Sequence, residues 1–184
     1  MDKIFLALDS ILTRYENLFH NANELGLPSF QCDPIWPSPC AVSIVKDCHY
    51  WRHKEKRSGN IFASLEDALE TKFHPDFHAF FESYWANGMR VEHPLVDFAL
   101  IQTWNEEDQE RLKENILGHC FAKLKNKQSL TLFIGCTDSN EVVSIENHSG
   151  KVILERPGRK DYKELADNLE SFLLALNPTA LEYN

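Results

Sequence analysis

Glycine is scarce in this chain, seven in 184 residues, and no two are spaced as Gly-x-Gly. The dinucleotide-binding fingerprint is therefore missing, and Gly150-Lys151 lacks the upstream glycine of a phosphate loop. No Gly-x-Ser-x-Gly elbow is present, so a hydrolase nucleophile has no sequence basis. Long apolar runs are missing too. Stretches such as Phe172-Leu173-Leu174-Ala175-Leu176 fall far short of the roughly 18 residues that a membrane span requires. The start, Met1-Asp2-Lys3-Ile4, has no positive region, and Asp9 interrupts the apolar stretch behind it. The expectation is a cytoplasmic chain without a secretion signal. The cysteines, Cys32, Cys40, Cys48, Cys120 and Cys136, are odd in number and contain no Cys-x-x-Cys pair. They read as reduced thiols, not as a disulfide framework or a zinc ribbon.

Basic residues are nearly absent from one long segment. From Ser58 to Glu110 there are eleven acids, Glu66, Asp67, Glu70, Asp76, Glu82, Glu92, Asp97, Glu106, Glu107, Asp108 and Glu110, opposed only by Lys72 and Arg90. The rest of the chain carries 17 residues of each sign, so the whole net charge of −9 lies in this segment. That balance argues against naked nucleic acid or an anionic lipid surface as the main partner. Two readings of the segment stand side by side: a solvated face with helix N-terminal acids, or a surface for a basic partner.

What is present is the pattern of an ordinary folded domain, 43% hydrophobic and 26% charged, long enough for one core. Ile4, Leu8, Ile11, Leu12, Tyr15, Leu18 and Phe19 predict an amphipathic helix over residues 2–20. Four prolines between Pro28 and Pro39 predict a loop without regular structure. Residues 41–46 and Tyr50-Trp51 read as strands, followed by a basic turn from Arg52 to Arg57. Ser64 and Asp67 resemble a capping box for a short helix. Pro75 suits the first position of the next helix, whose aromatic stripe would be Phe77, Phe80, Phe81, Tyr84 and Trp85. Residues 89–104 suggest two strands broken at His93-Pro94.

Asn105 is a good N-cap, with Glu106, Glu107 and Asp108 at the positive end of the helix dipole. Leu112, Ile116, Leu117, Cys120, Phe121 and Leu124 would form the buried face of that helix, with Lys123, Lys125 and Lys127 near its C-terminus. Residues 130–136, 141–146 and 151–155 read as a three-strand meander. Tyr162, Leu165, Ala166, Leu169, Phe172, Leu173 and Leu176 predict a final helix stopped by Asn177-Pro178. Together these predict a single α+β domain, helices flanking an antiparallel or mixed sheet.

Catalytic and metal signatures are weak. His74 and His78 are four apart, but Pro75 starts the helix after His74 and no Glu follows it, so they read as a cap and a surface or core histidine. Cys32, Cys40 and Cys48 match no zinc spacing. Nothing separates two carboxylates from the rest as general acid and base. No catalytic residue, cofactor or metal is assigned, and a binding protein is favoured over an enzyme.

Several strings carry a resemblance. Pro37-Ser38-Pro39-Cys40, Tyr50-Trp51, Gln102-Thr103-Trp104-Asn105-Glu106-Glu107-Asp108 running on to Glu114-Asn115-Ile116-Leu117-Gly118-His119, Thr131-Leu132-Phe133-Ile134, Val143-Ser144-Ile145-Glu146-Asn147-His148-Ser149-Gly150, and the closing Leu165-Ala166-Asp167-Asn168-Leu169-Glu170-Ser171-Phe172-Leu173 together resemble the Syd family of γ-proteobacteria. The resemblance runs nearly end to end, and its most specific part lies between Gln102 and His119.

The resemblance implies a SUKH-like α+β fold and a non-enzymatic cytoplasmic protein. Such a protein associates, at the inner membrane, with the SecY subunit of the translocation channel through a concave acidic groove. Basic cytoplasmic loops are what the positive-inside rule supplies on such a channel. Glu66, Asp67, Glu70, Glu82, Glu106, Glu107 and Asp108 are the candidate partner-binding acids. Trp104, between a strand end and the acidic helix start, is a candidate contact whose alternative is core packing. A toxin-neutralising immunity protein on the same fold is the other functional reading, separable by whether a toxin gene lies alongside.

Overall fold

In the computed structural model, residues 2–31, 35–56 and 59–180 are described. Asp2 caps the first helix, α1 (Lys3–Asn17), by accepting from the Ile4 N–H at 2.8 Å. Ile4, Ala7, Leu8, Ile11 and Leu12 are its buried face, most of the expected i, i+3, i+4 stripe, but the helix ends at Asn17, so Leu18 and Phe19 fall beyond it and Leu18 is exposed. A small antiparallel sheet follows, formed by β1 (Ser29–Gln31), β2 (Ala41–Val45) and β3 (Cys48–Trp51) in the order β1-β3-β2. β1 lies inside the stretch expected to be irregular. Its three residues fall between prolines, so pairing with β3 costs no ladder donor. Cys32, within that stretch, lies outside the described residues.

The expected basic turn is also partly a strand. β4 (Lys54–Glu55) pairs with β5 (Tyr84–Trp85), and Lys56 turns inward. Arg57, at the end of that expected turn, lies outside the described residues. Between them stand α2 (Ala63–Ala68) and α3 (Pro75–Glu82). The capping box at Ser64 is not formed: the helix starts at Phe62 without a side-chain cap, and Asn60 accepts from the Phe62 N–H instead. At α3 Pro75 does take the first turn, with His74 accepting from the Asp76 N–H at 3.2 Å. The aromatic stripe ends at Phe81. Ser83 bonds back to the Ala79 carbonyl, and Tyr84 and Trp85 are strand residues.

The larger sheet has seven antiparallel strands in the order β11-β10-β9-β8-β7-β6-β12. β6 (Met89–His93) and β7 (Val96–Leu100) are the two strands expected on either side of His93-Pro94, paired as a hairpin, and α4 (Glu106–Lys125) follows. β8 (Thr131–Cys136), β9 (Val142–Glu146) and β10 (Val152–Glu155) are the expected meander. A register shift in β8 lets Gly135 face Phe98, where an added Cβ would stand 2.5 Å from the ring. Gly150, at φ +77°, makes the tight β9–β10 turn against the His74 ring.

The expected last helix is two elements, β11 (Tyr162–Ala166) and α5 (Leu169–Ala175), before β12 (Asn177–Pro178) pairs with β6. Asn168 caps α5 by accepting from the Ser171 N–H, as Asn105 caps α4 by accepting from the Asp108 N–H, each at 2.9 Å. On α4, Leu112, Ile116, Cys120 and Lys123 are buried while Phe121 and Leu124 are half exposed. The last two stand about 100° round the helix from the buried line. One continuous apolar core joins α1, α3, α5 and the inner faces of the sheets. The architecture is α+β, helices packed against antiparallel sheets.

Candidate protein-binding site

The acids expected to meet a partner fall in three stretches: Glu66 and Asp67 on α2 with Glu70 in the turn after it, Glu82 at the end of α3, and Glu106, Glu107 and Asp108 at the start of α4. Glu66, on α2, is inside: 3% exposed, its carboxylate accepts from the Phe73 N–H at 2.8 Å, His78 Nε2 at 3.0 Å, Lys72 Nζ at 3.1 Å and Asn60 Nδ2 at 3.2 Å. Burial would raise its pKa. The Phe73 N–H, His78, Asn60 and Lys72 outweigh it and hold the carboxyl at about 2. Asp67, next on α2, and Glu70, in the turn after it, are exposed.

His78, on α3, joins the first two stretches. Its Nδ1 lies 3.0 Å from Glu82 Oε1, so its ring stands between two carboxylates. Glu82 also accepts from the Ile61 N–H at 2.9 Å and is only partly exposed. An open depression of about 460 Å³ lies along this stretch, lined by Asn60, Phe73, Pro75, His78 and Glu82 among others.

Lys56 follows β4. Its ammonium is buried, donating to the Phe81 carbonyl at 3.1 Å and to Thr103 Oγ1 at 3.2 Å, and it stands 3.8 Å over the Trp85 ring. Burial pushes its pKa down to about 7, against the opposing pull of Glu82, Asp108 and Glu106. Acids from the end of α3 and the start of α4 thus act on the charge of one buried lysine without contacting it. Among the described residues, no Lys, Arg or His lies within 4.0 Å of the carboxylates of Glu70, Glu106 or Asp108.

At the start of α4, Glu106 and Glu107 are exposed, and Glu107 pairs with Arg111. Asp108 is half-buried because it accepts from the Trp104 N–H at 2.9 Å. Trp104 itself is 1% exposed, packed edge-on to Phe30 and His49, its Nε1 donating to the Trp36 carbonyl at 3.2 Å. Its ring is a core group, so a partner does not reach it directly.

The aromatic at the surface is Trp36, half-buried, donating from Nε1 to Glu107 at 3.2 Å beneath the Arg111 guanidinium. Asn105 Nδ2 donates to the Pro37 carbonyl at 2.8 Å and Ser38 to the Trp104 carbonyl, which fixes this proline-rich loop on the α4 N-terminus. Sequence reasoning missed Trp36, although its place between Pro34 and Pro37, in a loop too rigid to fold away, was a visible signal.

Among the described residues no group of three or more His, Cys, Asp or Glu is arranged to hold a metal ion. His74 caps a helix and His78 bridges Glu66 and Glu82, so the two are not a ligand pair. Cys40, Cys48, Cys120 and Cys136 are free thiols, and burial pushes Cys40 up to about 11 and Cys120 up to about 12. Neither is poised as a nucleophile.

A family model described as "Syd protein (SUKH-2)" matches residues 6–178. The chain belongs to the Syd family. A protein named Protein Syd from Hahella chejuensis is 41% identical over 148 residues, covering 79% of this chain and 77% of its own. Two further proteins of that name match across almost their whole length. The one from Pseudoalteromonas atlantica is 33% identical with 96% of each chain covered. The one from Pectobacterium carotovorum is 38% identical with 97% and 98% covered. Among the described residues no helix is long and apolar enough to cross a membrane.

Proposed function

We propose that this Syd-family chain is a non-enzymatic regulatory protein, acting as one domain. It binds the basic cytoplasmic loops of SecY on the cytoplasmic face of the inner membrane and so sequesters or monitors surplus or unassembled channel. What supports the reading is the excess of acid between residues 58 and 110, which leaves Asp67, Glu70, Glu106 and Glu107 exposed and ties Glu66 to Glu82 through His78. Separate stretches of sequence thereby present negative charge at the surface. Opposite potentials steer encounter and fix orientation more than they raise affinity. Family membership favours this reading over a toxin-neutralising one.

The burial pattern refines which acids act. Asp67, Glu70, Glu106 and Glu107 are exposed and available to a partner, whereas Glu66, Glu82 and Asp108 shape the site through their internal bonds. Reversing Asp67, Glu70, Glu106 and Glu107 to Lys abolishes capture of SecY from detergent-solubilised inner membranes, while circular dichroism stays that of the folded protein, the two reversals in the first turn of α4 costing about 0.3 to 1 kcal/mol each against its dipole. Biosensor traces against SecY in nanodiscs show an on-rate that falls as sodium chloride rises. Capture that survives the fourfold reversal, or an on-rate flat with salt, overturns the reading.

A further inference from the structure

The far end of α4 has the opposite character from its start. The helix has 20 residues, about 30 Å at 1.5 Å per residue, so its C-terminus lies far from the acids of its first turn. There a cavity of about 280 Å³ is lined by Lys123 of α4, Lys127 in the turn after it, Arg159 and Lys160 of the β10–β11 connection and Tyr162 at the start of β11. Gln128 Nε2 donates to the Arg159 carbonyl at 2.6 Å and holds that connection over the cavity. Gly158, at φ +80°, makes the turn that brings Arg159 and Lys160 to the cavity.

The base of the cavity is internally neutralised. Lys123 pairs with Glu155, which also accepts from Thr131 Oγ1 at 2.6 Å, and His119 Nε2 reaches Thr131 Oγ1 at 2.9 Å. Burial lowers the His119 pKa against the opposing pull of Glu155. Lys127, Arg159 and Lys160 have no such compensation. Among the described residues no carboxylate lies within 4.0 Å of any of them. Glu146 is the one other acid of the lining, and it accepts from Ser149. Three uncompensated cations around one hollow repel one another unless an anion sits between them. A guanidinium with two ammonium groups suits phosphate oxygens, since charge-assisted N–H donors bind them more strongly than neutral ones.

We propose that this cavity, between the C-terminal end of α4 and the β10–β11 connection, is a binding site for a phosphate group. A soluble phosphate ester and a phospholipid headgroup share that chemistry. The lipid source has a structural argument of its own, because Phe121 and Leu124 are half exposed on the same last turns of α4.

The test uses the full chain. Potassium pyrophosphate is titrated in while amide resonances are followed by NMR, with potassium chloride at matched ionic strength as the reference. In parallel, flotation is measured with vesicles of phosphatidylglycerol and phosphatidylcholine against vesicles of phosphatidylcholine alone. A saturable shift of residues 127–129 and 159–162 with pyrophosphate, or flotation that needs phosphatidylglycerol, supports the site. The first identifies a soluble source and the second a headgroup.

In either arm the combined variant Lys127→Ala, Arg159→Ala, Lys160→Ala binds about tenfold more weakly or worse, and Lys3→Ala, on α1, binds as wild type. Circular dichroism confirms that the combined variant is folded. Binding of neither probe, shifts that chloride reproduces, or binding that the combined variant retains overturns the proposal.

Discussion

Glu66 offers the sharpest test of how this fold is held in its acidic segment. Its carboxylate joins the end of α2 to the chain entering α3, with four donors converging on it from a nearly sealed position. The group falls from 4.5 to about 2, a difference worth about 3 kcal/mol at 1.36 kcal/mol per unit. Glu66→Gln keeps the size and one acceptor oxygen for the Phe73 N–H. It turns an amide donor toward donors and removes the charge opposite Lys72. Because the folded pKa is depressed, the contribution is complete above about pH 4.5 and is lost as pH falls toward about 2.

Wild type therefore exceeds Glu66→Gln by about 3 kcal/mol at pH 7, and the gap closes on acidification. For a chain of this size the gap corresponds to a melting point about 6 to 12 °C lower for the variant at neutral pH. Urea unfolding of both proteins at pH 7, 5, 4 and 3, with matched slopes, gives the gap directly. A difference below about 0.5 kcal/mol at pH 7, the size of an ordinary surface effect, would falsify the account of Glu66 as a structural carboxylate. So would a gap that does not change between pH 7 and pH 3.

Two further measurements bear on the same region. In a lysine ¹³C-labelled sample the Lys56 side chain titrates near pH 7, where exposed lysines titrate near about 10.4. Removing its nearby acids with Glu82→Gln and Glu106→Gln moves that midpoint lower still, and a midpoint shared with the other lysines refutes the burial argument. Trp104→Ala destabilises the protein by about 3 to 5 kcal/mol because it empties a packed site. Trp36→Ala leaves the melting point within a few degrees of wild type but weakens SecY capture, and the reverse pattern in the two variants would exchange their roles.

The elements legible in the sequence are those whose evidence is local. α1 and α4 announce themselves by a stripe of 3.6-residue period and an Asp or Asn cap. β6 to β10 do so by β-branched runs between turn residues. The misread elements depend on partners far along the chain. The apolar spacing from Tyr162 to Leu169 satisfies a helix, yet residues 162–166 complete the ladder of β10, and Asn168 restarts the chain as a cap. Tyr84 and Trp85 continue the aromatic period of α3 but pair with Lys54 and Glu55, thirty residues upstream. In each case an open strand edge overrode a local period that was real.

The candidate site divides along the same line. Net charge is a sum over residues, so the excess of acid between residues 58 and 110 is visible before any fold is known. Which acids meet solvent is a tertiary property. Glu66 and Asp67 are neighbours in sequence, yet one is enclosed by Phe73, His78 and Asn60 while the other points outward. Lys56 looked like part of a basic turn and instead is buried against Phe81, Trp85 and Thr103, where burial lowers its pKa against the opposing pull of Glu82, Asp108 and Glu106. A partner that brings cations to those acids weakens their hold on the Lys56 proton.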